Sequence, residues 1–554
     1  MKKIIYLTLA IITFNTIALS QENNLPAESI YIHTNSTTFI TGESLLYKVY
    51  CFENSNNILS SISKIAYIEL FNSKGESLSR NKIELNSGVG NNEIFISTNF
   101  ETGKYKLVGY TSWMQNNSNN KYFETEITII NPFKPFQNKV EKNTTKRFEK
   151  IETSNASNEI SLALNKKIFS PRKKIIIDIE KKELKNELGN FSLSVRKLDS
   201  LQFNSSTTSN ANTLNQNVQQ VSFLPEVRGE LLSGKITTEN PNKSLINNVA
   251  LSFTGEKFDL KIFKTNANGE FHFILDKNIS NTNALLQVLD DETNDYKIIL
   301  NNPTSILMEK DEPEEIYINP NFVNQIEERL ISCQILNTYA EQDTISTNQQ
   351  FVPFYHPNQT DYILDDYKRF PTLKETVIEI IPSVYFKKNN DQYSLHIRDY
   401  VTSGDSYGKA LVLIDGLMIQ NVNELFNYNT KNIYKISVVN KAYVYGSKIF
   451  SGLISIITFD KNYTSIPKEI IPFSIERYRS SAKYVTPNYE NPDDFKRIPD
   501  FRYQLLWNPA IKMDQEKSSV EFYTSDIKGN FEIILEGFTN NGKHIVVKEY
   551  FSVQ

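Results

Sequence analysis

At 554 residues the chain has room for roughly three to five domains of ordinary size, and its 39% apolar and 12% aromatic content is enough to pack them. Lys and Arg number 60 against 64 Asp and Glu, a formal charge of −4, so nothing points to a nucleic-acid partner.

Lys2 and Lys3 precede an apolar run over residues 4–14, and Ala18-Leu19-Ser20 places small residues where a signal peptidase reads. Residues 1–20 are therefore expected to be an export signal cut before Gln21, which removes both lysines and takes the formal charge to −6. No Cys lies near that point, so no lipid anchor is expected, and no other run approaches the roughly 18 apolar residues of a membrane helix. The expectation is an exported protein, periplasmic or cell-surface, with no transmembrane span of its own and peripheral outer-membrane association. An oxidising compartment would permit Cys51 and Cys333 to pair, but two isolated buried thiols are the simpler reading.

Residues 21–133 carry short alternating segments at 30–32, 45–52, 65–71, 92–96 and 105–110, punctuated by Asn and Gly clusters, as in a β-sandwich. The words IYIHTNSTTFITGESLLYKVY and GKYKLVGYTSW resemble the MG2 domain of macroglobulins, with Thr41-Gly42-Glu43 opening the second strand. A second, weaker macroglobulin-like sandwich is expected over 134–221, from alternation at 160–164, 174–179 and 191–196 and a Ser170-Pro171-Arg172 turn. Its polar tract, 204–220, has no apolar period and is expected to be an exposed or disordered loop.

Residues 222–305 have VRGELLSGKITTENPNKSLINNVALSFTG followed by KTNANGEFHFIL, which resembles a carboxypeptidase-regulatory or transthyretin-like sandwich. Asn268-Gly269 supplies its turn, and Phe271 and Phe273 share one face. In the connector 306–366, residues 320–339 have a helical apolar period that includes Cys333. Thr372 and Glu375 have the spacing of a capping box at the head of a helix over 372–381, which Pro382 ends.

The most specific stretch is 410–458, within a unit expected over 367–460. Apolar runs at 410–414 and 452–458 flank an alternating strand at 433–439, with an Asp415-Gly416 turn and a Tyr445-Gly446-Ser447 break. This resembles the plug domain of TonB-dependent outer-membrane receptors. Only 95 residues follow Phe459, too few for such a receptor's barrel of about 22 strands, and Ser437-Val438 and Asn440-Lys441 replace the Glu-Val and Gly-Pro of working plugs. The two turns are accordingly read as shaping residues and not as a substrate site. Residues 461–500 are expected to be an extended strap on other domains. Strands at 520–526, 529–539 and 544–553 then either complete a small C-terminal β unit (501–554) with 504–507 or dock on an earlier domain.

The expected class is mainly β: tandem Ig-like or macroglobulin-like β-sandwiches followed by an α+β plug-like domain, in a Bacteroidota-type envelope protein. No catalytic residue, cofactor-binding residue or metal ligand is assigned, and no cofactor is expected. His33, His272, His356, His396 and His544 lack metal-ligand spacing, and neither a G-x-S-x-G elbow nor a phosphate loop is present. Cys333-Gln334 fails the C-x-E-Q spacing of a macroglobulin thioester. The acidic groups at 290–295 and 309–315 do not fit a calcium loop and are expected to be solvated. Asp199-Ser200-Leu201 and Asp343-Thr344-Ile345 have the form of short O-glycosylation triplets.

The functional expectation is a non-enzymatic scaffold or accessory subunit whose partners are outer-membrane proteins, with a β-barrel as one candidate. The alternative is a thioester-less macroglobulin-like binder of proteases or secreted polypeptides, with 35–44 or 204–220 as bait.

Overall fold

The alternation that marks strands in this sequence produces two compact units, one formed by Met1–Arg228, Ser305–Gln342 and Tyr478–Gln554, the other by Gly229–Thr304 and Asp343–Arg477. The computed structural model describes residues 26–116, 122–134, 159–182, 188–199, 201, 207–208, 223–275, 282–289, 295–301, 306–310, 316, 318, 320–339, 351–389, 392–398, 408–468, 470–478, 484, 486–490 and 499–554. The expected export signal lies outside these residues, as does the tract 204–220 apart from Thr207–Thr208. The fold is mainly β.

In the first unit, one sandwich sets Glu28–Thr34, Ser44–Glu53, Ile58–Leu59 and Val89–Phe95 against a larger sheet that includes Ile65–Phe71, Ser77–Glu84, Gly103–Tyr110 and Phe123–Ile130. Its core comes from both inner faces, Ile32, Tyr47, Val49 and Ile94 meeting Ile68, Leu70, Leu107 and Ile127.

The second sandwich is discontinuous in sequence. Ile160–Leu164 and Lys174–Lys181 pair with Lys517–Tyr523, and the facing sheet runs Ile168–Phe169, His544–Val553, Gly529–Thr539, Gly189–Lys197, Gln504–Lys512. The C-terminal strands therefore dock on an earlier domain and supply half of its core: Leu505, Phe531, Ile533, Leu535 and Phe551 pack with Ile175, Ile177, Ile179, Phe191, Leu193 and Val195. Ser519 donates to Asp178, 341 positions away.

The helix Val323–Tyr339 joins the same unit through Arg329, which is almost fully buried. Its guanidinium donates to both carboxylate oxygens of Glu43 and, at 3.1 Å, to Asp199 and to the Thr38 carbonyl. Arg196 reaches Glu43 at 3.2 Å. Burial alone would push the Glu43 carboxyl up, but the two guanidinium groups outweigh it and hold it below its ordinary value. Glu43 of the T-G-E turn is thus the anchor of a buried charge network.

In the second unit a sandwich pairs the sheet of Glu230–Thr238, Glu270–Leu275 and Tyr296–Leu300 with one of Asp259–Lys264, Asn248–Phe253 and Asn283–Val288. Gly269 turns with φ +80, and Phe271 and Phe273 are both in the core. Ile471–Ser474, from the stretch expected as a strap, adds to this second sheet as an antiparallel edge strand beside Asn283–Val288. Pro472 is tolerated there because an edge strand needs donors on one side only.

The α+β part has a five-stranded sheet in the order Thr360–Ile363, Ile433–Val439, Leu453–Thr458, Leu411–Ile414, Leu417–Met418, with Leu411–Ile414 parallel to Leu453–Thr458. Both faces are covered, which is why the run over 411–414 is continuously apolar. Leu411 and Leu413 pack with Phe258 and Leu260 of the sandwich, while Val412 and Ile414 pack with Leu373 and Val377 of the helix Leu373–Ile380. That helix opens with the complete Thr372/Glu375 capping box.

Candidate interaction surface

The two signature turns are used up in internal packing. Asp415 (φ +47) and Gly416 (φ +88) form the two-residue loop between Leu411–Ile414 and Leu417–Met418. The buried Asp415 carboxylate accepts from the Thr458 amide at 2.8 Å and its hydroxyl at 2.6 Å. Burial pushes this carboxyl up, opposed by the Thr458 bonds. The Gly255 amide donates to the Asp415 carbonyl at 3.0 Å, and Gln287 donates to the Met418 carbonyl at 2.8 Å. At the second turn Tyr445 donates to the Leu260 carbonyl and Ser447 to Asn248. These turns hold the five-stranded sheet onto the sandwich of the same unit.

A side chain at Gly416 has nowhere to go: a Cβ there would clash with Phe258 Cβ and stand 2.8 Å from the Phe253 carbonyl oxygen. Left-handed strain and overpacking together give Gly416→Ala an expected cost of about 2 to 5 kcal/mol. Hydrogen exchange should register this as faster exchange within Gly229–Thr304 and Asp343–Arg477, and unchanged exchange there would refute the docking role.

The structure brings together groups that sequence spacing keeps apart. His33 Nδ1 lies 2.6 Å from Ser192 Oγ, and its Nε2 lies 3.2 Å from Glu536. Tyr31 donates to Glu536 at 2.5 Å, and His544 Nε2 stands 3.2 Å from the same carboxylate. Ser, His and Glu are the groups of a nucleophilic relay, yet Ser192 is 0% exposed and His33 4%. Their place is a seam between the two sandwiches of the first unit, where a substrate has no approach. Among the described residues no three His, Cys, Asp or Glu side chains are grouped to hold a metal ion. Cys51 and Cys333 are both buried and unpaired, and burial pushes the Cys51 thiol well up and Cys333 to about 12, away from nucleophilic thiolate chemistry.

The bait expected at 35–44 is overturned. Asn35, Phe39, Ile40 and Thr41 are buried, because this segment carries Thr38–Ile40, paired parallel to Phe123–Ile130, and leads into the Glu43 anchor. Of the proposed glycosylation triplets, Asp199 accepts from Arg329, while Ser200 and 343–345 lie outside the described residues. Asp295 accepts from Asn240 at 3.0 Å, and residues 290–294 and 311–315 lie outside as well.

What sequence reasoning missed is an aromatic and arginine patch at the end of the five-stranded sheet where Thr360–Ile363 and Leu453–Thr458 finish and Ile433–Val439 begins. Tyr434 and Phe459 are 39% and 49% exposed, with ring centroids 5.7 Å apart. The Arg369 guanidinium lies 5.5 Å over the Phe459 ring, donates to the Ile433 carbonyl at 3.0 Å, and is steadied by Asp365 at 2.7 Å. Tyr367, 43% exposed, lies against Tyr362 at 6.4 Å. The density of aromatic and charged residues in TDYILDDYKRF, 360–370, was the available signal.

No family model and no curated protein matches the chain. Among solved structures it is similar to Escherichia coli α2-macroglobulin activated by porcine elastase, at 9% identity and TM-score 0.24 over 95% of this chain and 44% of that one. It is also similar to Salmonella α2-macroglobulin reacted with methylamine, at 8% identity and TM-score 0.24 over 97% and 40%. The Escherichia coli adhesin FdeC matches at 9% identity and TM-score 0.15 over 49% and 63%. The chain spans less than half the length of these α2-macroglobulins. With TM-scores this low the functional reading rests on the chain's own residues.

Proposed function

We propose that this chain is an exported, non-enzymatic interaction protein, a scaffold or accessory subunit of an outer-membrane protein complex, in which the plug-like region serves for docking. The observation that supports this reading is the patch of Tyr367, Arg369, Tyr434 and Phe459 beside the edge strand Thr360–Ile363. Exposed aromatic rings with a braced arginine are the composition of binding hot spots, and a sheet edge offers backbone groups to an added strand. The signature turns, by contrast, are engaged inside the unit and serve to present this edge.

Lys368, Lys431 and Lys435 flank the patch and make it addressable by amine crosslinking in intact cells. Crosslinks from these lysines to envelope proteins are expected. Tyr434→Ala with Phe459→Ala should weaken recovery of the partner by about 30-fold or more, the effect of losing a hot spot of about 2 kcal/mol. Recovery of no envelope protein through these lysines would count against the proposal. Cleavage within 204–220 followed by compaction and protease retention would favour the macroglobulin-like binder in its place.

A further inference from the structure

We infer that the seam between the two sandwiches of the first unit is an acid-responsive joint, closed at neutral pH and opened when His33 takes up a proton. Beside the aromatic cluster of Tyr50, Phe52 and Phe538 that joins the two sandwiches, the seam buries a polar patch. Tyr31 and His33 face it from Glu28–Thr34, and Lys48 and Tyr50 from Ser44–Glu53. Across it stand Asn190 and Ser192 of Gly189–Lys197, Glu536 of Gly529–Thr539, His544 of His544–Val553, and Gln504 and Trp507 of Gln504–Lys512. Lys48 donates to Asn190 and, at 2.8 Å, to the Phe191 carbonyl. Tyr50 donates to the Glu536 carbonyl at 3.4 Å, Asn35 donates to Gln504 at 3.2 Å, and the Trp507 and His33 rings are 5.3 Å apart.

The partners assign the neutral tautomer of His33. A carboxylate at Nε2 requires Nε2–H, so Nδ1 accepts from the Ser192 hydroxyl. A second proton must enter at Nδ1, which then donates to Ser192 Oγ, and the Ser192 proton turns to the Glu536 carbonyl at 3.2 Å. The hydrogen bonds survive this exchange, but a cation then sits in a water-excluded seam beside Lys48.

Burial holds the His33 imidazole below its ordinary value of 6.5 against the pull of Glu536, and Lys48 and His544 add to the lowering. Exposed in the open joint, His33 would protonate at its ordinary value. The closed form therefore binds fewer protons below pH 6.5, and falling pH favours opening. With tenfold per pKa unit, the population of the open joint rises by at most about 30-fold between neutral pH and pH 5. Glu536 has the same sign in stronger acid. Burial would raise its carboxyl, but His33 and His544 where they carry charge, and the hydrogen bonds of His544 and Tyr31, hold it low. Its contribution is complete above its ordinary 4.5 and is lost as pH falls from there. Burial also holds the Lys48 ammonium well down, so its own proton uptake on opening must be separated from that of His33.

Trp507, 3% exposed beside His33, is the reporter. In full-length chain carrying Trp113→Phe, which leaves one tryptophan, acrylamide quenching should rise reversibly between pH 7.5 and pH 5.0. His33→Gln should abolish the step, while Lys48→Met and the half-exposed His544→Gln should retain it. Because His33→Gln replaces a buried group, histidine-labelled NMR of the unsubstituted chain gives a second reading: the His33 resonance should titrate below 6.5, together with the quenching step. Equal quenching at both pH values, an undiminished step in His33→Gln, or His33 titrating at its ordinary value without any change at Trp507 would each overturn the inference.

Discussion

A chain that stops after Asp500 loses the second sandwich as a folded body. The strands Gln504–Lys512, Gly529–Thr539 and His544–Val553 supply most of its facing sheet and Lys517–Tyr523 the partner of Lys174–Lys181, so removing them strips neighbours from Ile175, Ile177, Ile179, Phe191, Leu193 and Val195. What remains is the pair Ile160–Leu164 and Lys174–Lys181 on one side and, on the other, Gly189–Lys197 without either of its sheet neighbours, too little for a stable sandwich. The cost is of the order of the whole stability of such a domain, about 5 to 15 kcal/mol. Amides of Lys174–Lys181 and Gly189–Lys197 should exchange as in an unfolded chain, while those of the unit formed by Gly229–Thr304 and Asp343–Arg477 keep their protection. Retained protection over Ile175–Ile179 in the truncated chain would mean that these strands find another partner.

Replacing Arg329 by Ala should cost about 3 to 5 kcal/mol, because it leaves Asp199 without its guanidinium and Glu43 with Arg196 alone in a buried site. Arg329→Met fills the volume but strands Asp199 in the same way. Arg329→Met combined with Asp199→Asn should recover much of the loss, because Glu43 keeps Arg196 and buried charges cost most when one partner is gone. Denaturant unfolding followed at Trp113 and Trp507 measures each variant. A loss under about 1 kcal/mol for Arg329→Ala would show that water reaches the site.

Strand positions were legible where one face alternates or a run is wholly apolar. Residues 433–439 and 411–414 are examples, and Asp415-Gly416 announced its turn because both positions need φ above zero. Partnership was not legible. Nothing in the Ile-rich period of 174–179 says that its neighbour is Lys517–Tyr523, because period fixes which face is buried and not by what. Residues 471–474 lack alternation and contain proline, yet they complete a sheet edge. The patch was hidden for a related reason: Tyr434 and Phe459 have the composition of core residues, and only the end of the sheet leaves them outside. Tyr31 and Glu536 meet across 505 positions, a distance over which sequence pattern carries no contact information.

The split second sandwich also sets a timetable. Lys174–Lys181 and Gly189–Lys197 are synthesised roughly 300 residues before the strands that cover them, which at 5–20 residues per second is on the order of 15 to 60 s. Over that interval the second unit can close on its own contacts while Ile175, Ile177 and Ile179 wait with their apolar faces bare. Those bare faces are an aggregation hazard on the nascent chain, and a holding chaperone would act on this early segment.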